Sequence, residues 1–210
     1  MNYNFVSIEG NIGSGKTSLA KKITNDFNAE IILEAFANNP FLPKFYQEPE
    51  KYAFSLELFF MAERYSQLKD KWSDNIFHSI KVSDYFFMKS KIFAQNNLNP
   101  DELSLFNKLF EIMMASLPKP DLLIYLYADT ARLQQNIKIR NRDFEKNISN
   151  DYLERIQAAY LDYLHKQKQI PVLILDVGDS DFVKDISTYN KIKDLLKNKY
   201  RIGVTNEKLY

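Results

Sequence analysis

Short apolar stretches alternate with longer amphipathic ones along this chain. Residues 3–9 form a compact apolar run that suits a buried strand, and residues 31–33, 76–83, 122–126 and 172–175 are further runs of strand length. Between them, residues 16–27, 52–72, 85–96, 101–116, 130–139, 149–168 and 182–198 are expected to be helical, with apolar side chains at helical spacing over 52–72. Prolines 40, 43 and 49 predict a broken helix or loop over 38–49, and Pro118 and Pro120 mark a second break. Strands alternating with helices predict an α/β protein: a parallel sheet of about five strands, flanked by helices on both faces. No repeat, low-complexity segment or linker interrupts residues 1–210, so a single domain is expected.

In such sheets ligands bind at the carboxyl ends of the strands. Three chemically loaded features fall on that edge. Glu34 closes the second strand, Asp84 closes the third, and a glycine-rich loop follows the first. The chain holds only five glycines, and Gly10, Gly13 and Gly15 are three of them. The loop runs Gly10, Asn11, Ile12, Gly13, Ser14, Gly15, Lys16, Thr17, with Ser18 next, which is G-x4-G-K-[ST] between a strand and a helix. Backbone N–H groups of such a loop and of the helix N-terminus face phosphates. Lys16 neutralises the β- and γ-oxygens, and Thr17 ligates Mg²⁺. ATP and Mg²⁺ are therefore the expected cofactors. Magnesium normally takes a carboxylate as well, and Asp84 is the candidate; its plainer alternative is the N-cap of the helix over 85–96.

A hydroxyl acceptor benefits from a positioned base, for which Glu34 is the candidate. The segment Arg140-Asn-Arg142-Asp-Phe-Glu145 places two guanidinium groups and a carboxylate in six residues. On a mobile lid, over about 138–148, they can close on transferred phosphoryl oxygens; without further support such a run is an ordinary solvated face.

Composition narrows the choices. Twenty-eight basic residues against 27 acidic ones give no general pull toward nucleic acid or anionic lipid. The absence of cysteine excludes disulfides, thiolate metal sites and cysteine nucleophiles. The two histidines, His78 and His165, match no metal spacing and are taken as structural. The first residues lack the basic start and long apolar core of a secretion signal, and no apolar run approaches the roughly 20 residues of a bilayer span. A soluble cytoplasmic protein is expected.

The loop, Glu34, the long helix and the R-x-R-x-x-E segment, in this order, resemble the deoxynucleoside kinase family over residues 3–165. The resemblance implies a P-loop kinase fold with an arginine-bearing lid. It implies that Glu34 accepts the proton of the substrate 5′-hydroxyl, with Lys16, Arg140 and Arg142 also catalytic. Tyr46, eleven residues before Glu57, matches the tyrosine that bonds the sugar 3′-hydroxyl, and Glu145 matches the lid glutamate that contacts it. Asp84 matches the acidic residue near magnesium, and Phe93 the aromatic that stacks on the base. A homodimer is implied as well. Where family members often follow the acidic residue with Arg-Ser, this chain has Tyr85-Phe86, so that cation is replaced by a lysine such as Lys89 or not at all. Ser83-Asp84-Tyr85 looks like the bacterial deoxyguanosine kinase branch.

At the base-reading position Glu57 stands where most members have Gln. Arg64 lies two helical turns on, on the same face. Ionised Glu offers acceptors only, which suits guanine's N1–H and amino group, and a Glu57/Arg64 pair also serves adenine. Thymine lacks an exocyclic amine and fits poorly. A purine deoxynucleoside is expected, with adenine and guanine both open and a deoxycytidine or multisubstrate enzyme as the alternative. An intrahelical ion pair is the plainer reading of Glu57 and Arg64. Phe41, Phe45 and Phe60 are candidates for lining the base pocket. A nucleoside monophosphate kinase needs arginines where Glu34 stands. A GTPase-like switch needs N-K-x-D, and Asn190-Lys-Ile-Lys-Asp194 is one residue too long.

Overall fold

The computed structural model describes residues 1–36, 39–73 and 80–210. The elements run β1 (Phe5–Gly10), α1 (Lys16–Phe27), β2 (Glu30–Ile32), α2 (Leu42–Phe45), α3 (Pro49–Ser73), β3 (Lys81–Ser83), α4 (Lys89–Asn97), α5 (Pro100–Met114), β4 (Leu122–Tyr127), α6 (Thr130–Arg140), α7 (Asn150–Lys166), β5 (Pro171–Asp176), α8 (Ile186–Leu195) and β6 (Gly203–Lys208). One 3-10 turn, Asp143–Glu145, lies between α6 and α7. All strand pairs are parallel, in the order β2-β3-β1-β4-β5-β6.

The expected parallel α/β sheet is present, with six strands rather than about five. The additional strand, β6, reads Gly-Val-Thr-Asn-Glu-Lys and has no apolar run to announce it. It lies on the sheet edge and, among the described strands, pairs with β5 alone, where polar side chains protect an open strand. His78 and the first part of the strand expected over 76–83 lie outside the described residues.

Alternation along the central strands sorts their side chains onto two faces. Leu122, Ile124 and Leu126 of β4 and Leu173 and Leu175 of β5 pack with Leu19 and Ile23 of α1, Leu133 of α6 and Ile192 of α8. Their neighbours Leu123, Tyr125, Val172 and Ile174 point the other way, onto Ile156, Tyr160 and Leu164 of α7. Strands buried on both faces read as continuous apolar runs, which is why β4 and β5 are plain in the sequence.

Caps set several helix starts. Asn99 and Glu102 form a capping box at α5, Asp129 caps α6, Ser149 caps α7, and Asp185 caps α8 at Ile186 rather than 182. Helix α4 starts at Lys89 rather than 85, because Tyr85, Phe86 and Phe87 are drawn into the core. Asp84 is consequently not its N-cap. Strand β1 neighbours both β3 and β4, so the chain's direction of winding reverses there and opens a crevice at its carboxyl end. Among the described residues no helix is long and apolar enough to cross a membrane.

Candidate functional site

The crevice is a cleft of about 870 Å³ running from the loop after β1 to the middle of α3. It is lined by Gly13, Lys16 and Thr17 at one end and by Tyr46, Glu57, Phe60 and Phe93 at the other, with Glu34, Arg64, Asp84 and Lys89 also on its wall. Arg140, Arg142 and Glu145 line it as well, and so do Ile12, Ser14, Gly15 and Ser18. Phe45 and Phe60 reach the cleft as expected. Phe41 does not line it and instead faces Phe59 edge-on, with ring centroids 6.4 Å apart.

The loop is built for backbone approach. Gly13 (φ +86°) and Gly15 (φ +90°) sit in left-handed backbone that a side chain disfavours. The Gly13 carbonyl accepts from Asn136 Nδ2 at 2.8 Å, and the Asn11 side chain donates to Leu153 O at 2.7 Å, which ties the loop to α6 and α7. Gly10 and Asn11, expected to bind the nucleotide, do not line the cleft, and Asn11 instead anchors the loop to α7. A Cβ on Gly13 would stand 2.8 Å from the Leu133 carbonyl oxygen, a backbone atom that cannot step aside. Gly13→Ala is expected to lower stability by about 1–3 kcal/mol and to weaken nucleotide binding. Thermal unfolding with and without ATP checks this, and a wild-type midpoint in both conditions would contradict it.

Lys16 Nζ donates to Gly10 O and Asn11 O, both at 2.8 Å, so the ammonium curls over the loop. Burial pulls its pKa down to about 8, and the nearby Lys89 charge adds to that. A bound polyphosphate would reverse both effects. Thr17 Oγ1 donates to Asp84 Oδ2 at 2.5 Å, and Asp84 Oδ1 accepts the Glu34 amide at 2.7 Å. Asp84 thus joins the tips of β2 and β3 to the first turn of α1. Two hard oxygens side by side at the loop mouth fit Mg²⁺, which keeps most of its waters and shares its remaining positions with phosphate.

Glu34 is gripped by two cations. Arg64 donates to its Oε1 through Nε at 2.8 Å and Nη2 at 2.5 Å, and Lys89 Nζ lies 2.7 Å from Oε2. Burial alone would raise this carboxyl, but Lys89 and Arg64 outweigh it and hold Glu34 far below the usual carboxylate range. Arg64 Nη1 donates to Ser90 Oγ at 2.8 Å, so the guanidinium is turned to Glu34 and Ser90. The Glu57–Arg64 ion pair is therefore not formed. Glu57 instead accepts from Asn97 Nδ2 at 2.7 Å through Oε1, while Oε2 is buried without a partner. Burial pushes the Glu57 carboxyl up to about 7 against the opposing pull of Arg64.

On the lid, Arg140 Nη2 meets Glu145 Oε2 at 2.5 Å and Arg142 Nη1 meets Oε1 at 3.2 Å, so one carboxylate holds both guanidinium groups. Arg142 also lies 3.8 Å from the centre of the Phe36 ring. Tyr46 stacks on Phe144 at 6.3 Å between centroids, which packs the α2 segment against the lid. Asn141 (φ +51°) ends α6 and turns the chain into the 3-10 step that carries Glu145.

Glu9 escaped sequence reasoning. It is buried in β1 and takes the Phe86 amide at 2.6 Å and the Tyr160 hydroxyl at 2.9 Å, so it fixes the turn between β3 and α4. A lone acid inside an apolar strand was the available signal. Asn97 and Tyr152, which stand beside Glu57, carried no motif.

The family model of the deoxynucleoside kinases matches residues 6–200. The chain belongs to the deoxynucleoside kinase family. Among relatives, the deoxyguanosine kinase of Bacillus subtilis (strain 168) is 37% identical to the kinase over 195 residues, covering 90% of this chain and 93% of the relative. The deoxyadenosine/deoxycytidine kinase of the same organism is 29% identical over 199 residues, covering 90% and 89%. A solved deoxyadenosine kinase from M. mycoides, with dCMP and a flexible dCDP bound, superposes with a TM-score of 0.78 at 22% identity over 92% of this chain and 98% of that one. The protein is a deoxynucleoside kinase.

Proposed function

We propose that the kinase transfers the γ-phosphate of ATP to the 5′-hydroxyl of a purine deoxynucleoside, giving the 5′-monophosphate for nucleotide salvage. One observation carries this reading: Glu34 is tied to the phosphate loop through Asp84 and to the Glu57 helix through Arg64, within one cleft. A donor on the loop and a nucleoside against α3 would meet at Glu34.

The loop amides and Lys16 hold the β- and γ-phosphates. Thr17 and Asp84 would hold Mg²⁺, which when bound would neutralise phosphate charge and orient the transferred group. Glu34, ionised at every ordinary pH, accepts the 5′-hydroxyl hydrogen and later its proton. Phosphoryl transfer passes through a loose transition state, so the base acts late and its placement matters more than its basicity. Lys89 brings positive charge to the same place, where many family members carry an arginine. Arg140 and Arg142 leave Glu145 in part and meet the transferred oxygens. Tyr46 and Glu145 hold the 3′-hydroxyl, Phe93 stacks on the base, and Glu57 reads its edge. Arg64 orients Glu34 rather than reading the base directly. One catalytic domain over 1–210, acting as a cytoplasmic homodimer, completes the reading; the dimer rests on family resemblance.

The purine assignment rests on the free Oε2 of Glu57 and on the deoxyguanosine and deoxyadenosine kinases among the relatives. A deoxycytidine or multisubstrate kinase is the second reading. It is favoured by the burial that pushes Glu57 up to about 7, because its neutral acid offers a donor beside an acceptor. Glu57→Gln is expected to broaden base choice toward pyrimidines, lowering the kcat/KM ratio of deoxyguanosine to deoxycytidine about 30-fold, the worth of one charged hydrogen bond. It should also stabilise the protein at alkaline pH. The raised carboxyl contributes its stability below the ordinary value of 4.5 and loses it as pH rises through about 7, whereas the amide has no charge to bury. Steady-state kinetics with each deoxynucleoside checks the first effect, and an unchanged ratio would mean that Glu57 does not touch the base.

A further inference from the structure

Glu57 is held from one side only. Asn97, the last residue of α4, donates through Nδ2 to Glu57 Oε1 at 2.7 Å, and the same nitrogen lies 3.3 Å from the Tyr152 hydroxyl of α7. The other carboxylate oxygen, Oε2, is buried and has no hydrogen-bond partner among the described residues. A buried oxygen without a donor is costly, and a ligand that brings one removes the cost. The side chain lines the cleft, so that ligand is whatever occupies the α3 end.

The Asn97 amide decides what this carboxylate can recognise. An N–H donor on Oε1 commits that oxygen to accepting and favours the ionised form, which has no hydrogen to give. A base that suits two acceptors presents two adjacent donors, as guanine does with N1–H and its amino group. Adenine presents one donor beside an acceptor, which an ionised carboxylate leaves unmatched. We propose that Asn97 is a specificity-determining positioning residue, which by its hydrogen bond to Oε1 holds Glu57 as a pure acceptor with Oε2 free for the base, and so favours deoxyguanosine over deoxyadenosine.

This inference rests on the proposed base-reading role of Glu57. The charged and titratable groups around Glu57 come from five segments. Arg64 lies on its own helix, Glu34 at the tip of β2, Lys89 on α4 with Asn97, Tyr46 after α2 and Tyr152 on α7. Arg64 and Lys89 oppose the upward pull of burial and Glu34 reinforces it, whereas among the described residues Asn97 is the neighbour that bonds the carboxylate directly. Removing it shifts the balance toward the neutral acid, which pairs with a donor-plus-acceptor edge. Discrimination against adenine should then fall, and the ionisation that deoxyguanosine needs should move to higher pH.

The test is made on the full chain with ATP and Mg²⁺. Asn97→Leu, Asn97→Gln, Glu57→Gln and the Asn97→Leu/Glu57→Gln pair are assayed with deoxyguanosine and deoxyadenosine from pH 6 to 9. Asn97→Leu is expected to lower the deoxyguanosine-to-deoxyadenosine kcat/KM ratio about tenfold at pH 7.5 and to move the acid limb for deoxyguanosine upward. The KM for ATP should not change. Asn97→Gln, which keeps an N–H donor, should recover part of the ratio, and in the Glu57→Gln background the Asn97 change should leave the pH profile alone. A ratio and acid limb unmoved by Asn97→Leu, with Glu57→Gln altering the ratio, overturns the role of Asn97 and leaves that of Glu57 standing. A ratio unmoved by either change overturns both. A loss shared equally by both nucleosides, with a lowered unfolding temperature, makes Asn97 structural only and overturns the proposal.

Discussion

Glu34→Gln should lower kcat by about 10³-fold while ATP binding persists, since a positioned general base contributes about 10²–10⁴-fold. The variant keeps the shape of the side chain and its backbone amide, which bonds Asp84, so the loop end of the cleft is left intact. What it removes is the charge between Arg64 and Lys89. Both cations are largely buried, with side chains 3% and 10% exposed, so an amide in place of the carboxylate leaves them poorly compensated. Breaking a buried pair of this kind costs about 3–5 kcal/mol, and the unfolding temperature should fall with activity. The two effects separate cleanly. Nucleotide titration reports the folded fraction, and kcat per folded molecule reports chemistry. A folded Glu34→Gln enzyme with kcat within threefold of the parent would remove Glu34 from the reaction. The pH dependence adds an independent check. A carboxyl held so low contributes no limb above pH 5, so an acid limb near 7 belongs to Glu57 instead.

Arg140→Ala and Arg142→Ala should each cost about 10²–10³-fold in kcat, the usual worth of one preorganised donor facing developing charge. Their KM effects should differ. Arg140 makes the shorter bond to Glu145, at 2.5 Å, so its loss releases the carboxylate proposed to hold the 3′-hydroxyl and raises the KM for the nucleoside. Arg142 bonds Glu145 at 3.2 Å and lies over Phe36, so its loss should appear mostly in kcat. Lysine at either position should recover little, because an ammonium cannot offer the planar fork that meets a carboxylate and a phosphoryl group together. Both variants are read by separating kcat from KM for the nucleoside. Undiminished kcat in each would return the lid arginines to an ordinary charged surface.

Much of the cleft is legible in the sequence because its chemistry is local. The phosphate loop is eight contiguous residues, and Glu34 and Asp84 fall at the ends of strands that their apolar runs reveal. The contacts between these parts are not local. Arg64 shares a helix face with Glu57, which makes an ion pair between them the natural expectation, yet it turns to Glu34, thirty residues back in the chain. Three aromatic residues after Asp84 resemble the start of a helix, but the core takes them and delays α4 to Lys89. Strand β6 is hidden because an exposed edge needs polar residues, and polar residues do not mark a strand. Glu9 and Asn97 belong to the same class. Each acts through partners distant in sequence, which only the packed sheet and helices bring near.

Phosphorylation of the 5′-hydroxyl of a purine deoxynucleoside is tested most directly by one assay. The purified chain is incubated with ATP and Mg²⁺ against each of the four deoxynucleosides in turn, and 5′-monophosphate formation is measured. Deoxyguanosine or deoxyadenosine should be phosphorylated with the highest kcat/KM, deoxycytidine less well and thymidine least. Preferred turnover of thymidine, or phosphorylation of nucleoside monophosphates in place of nucleosides, would contradict the account.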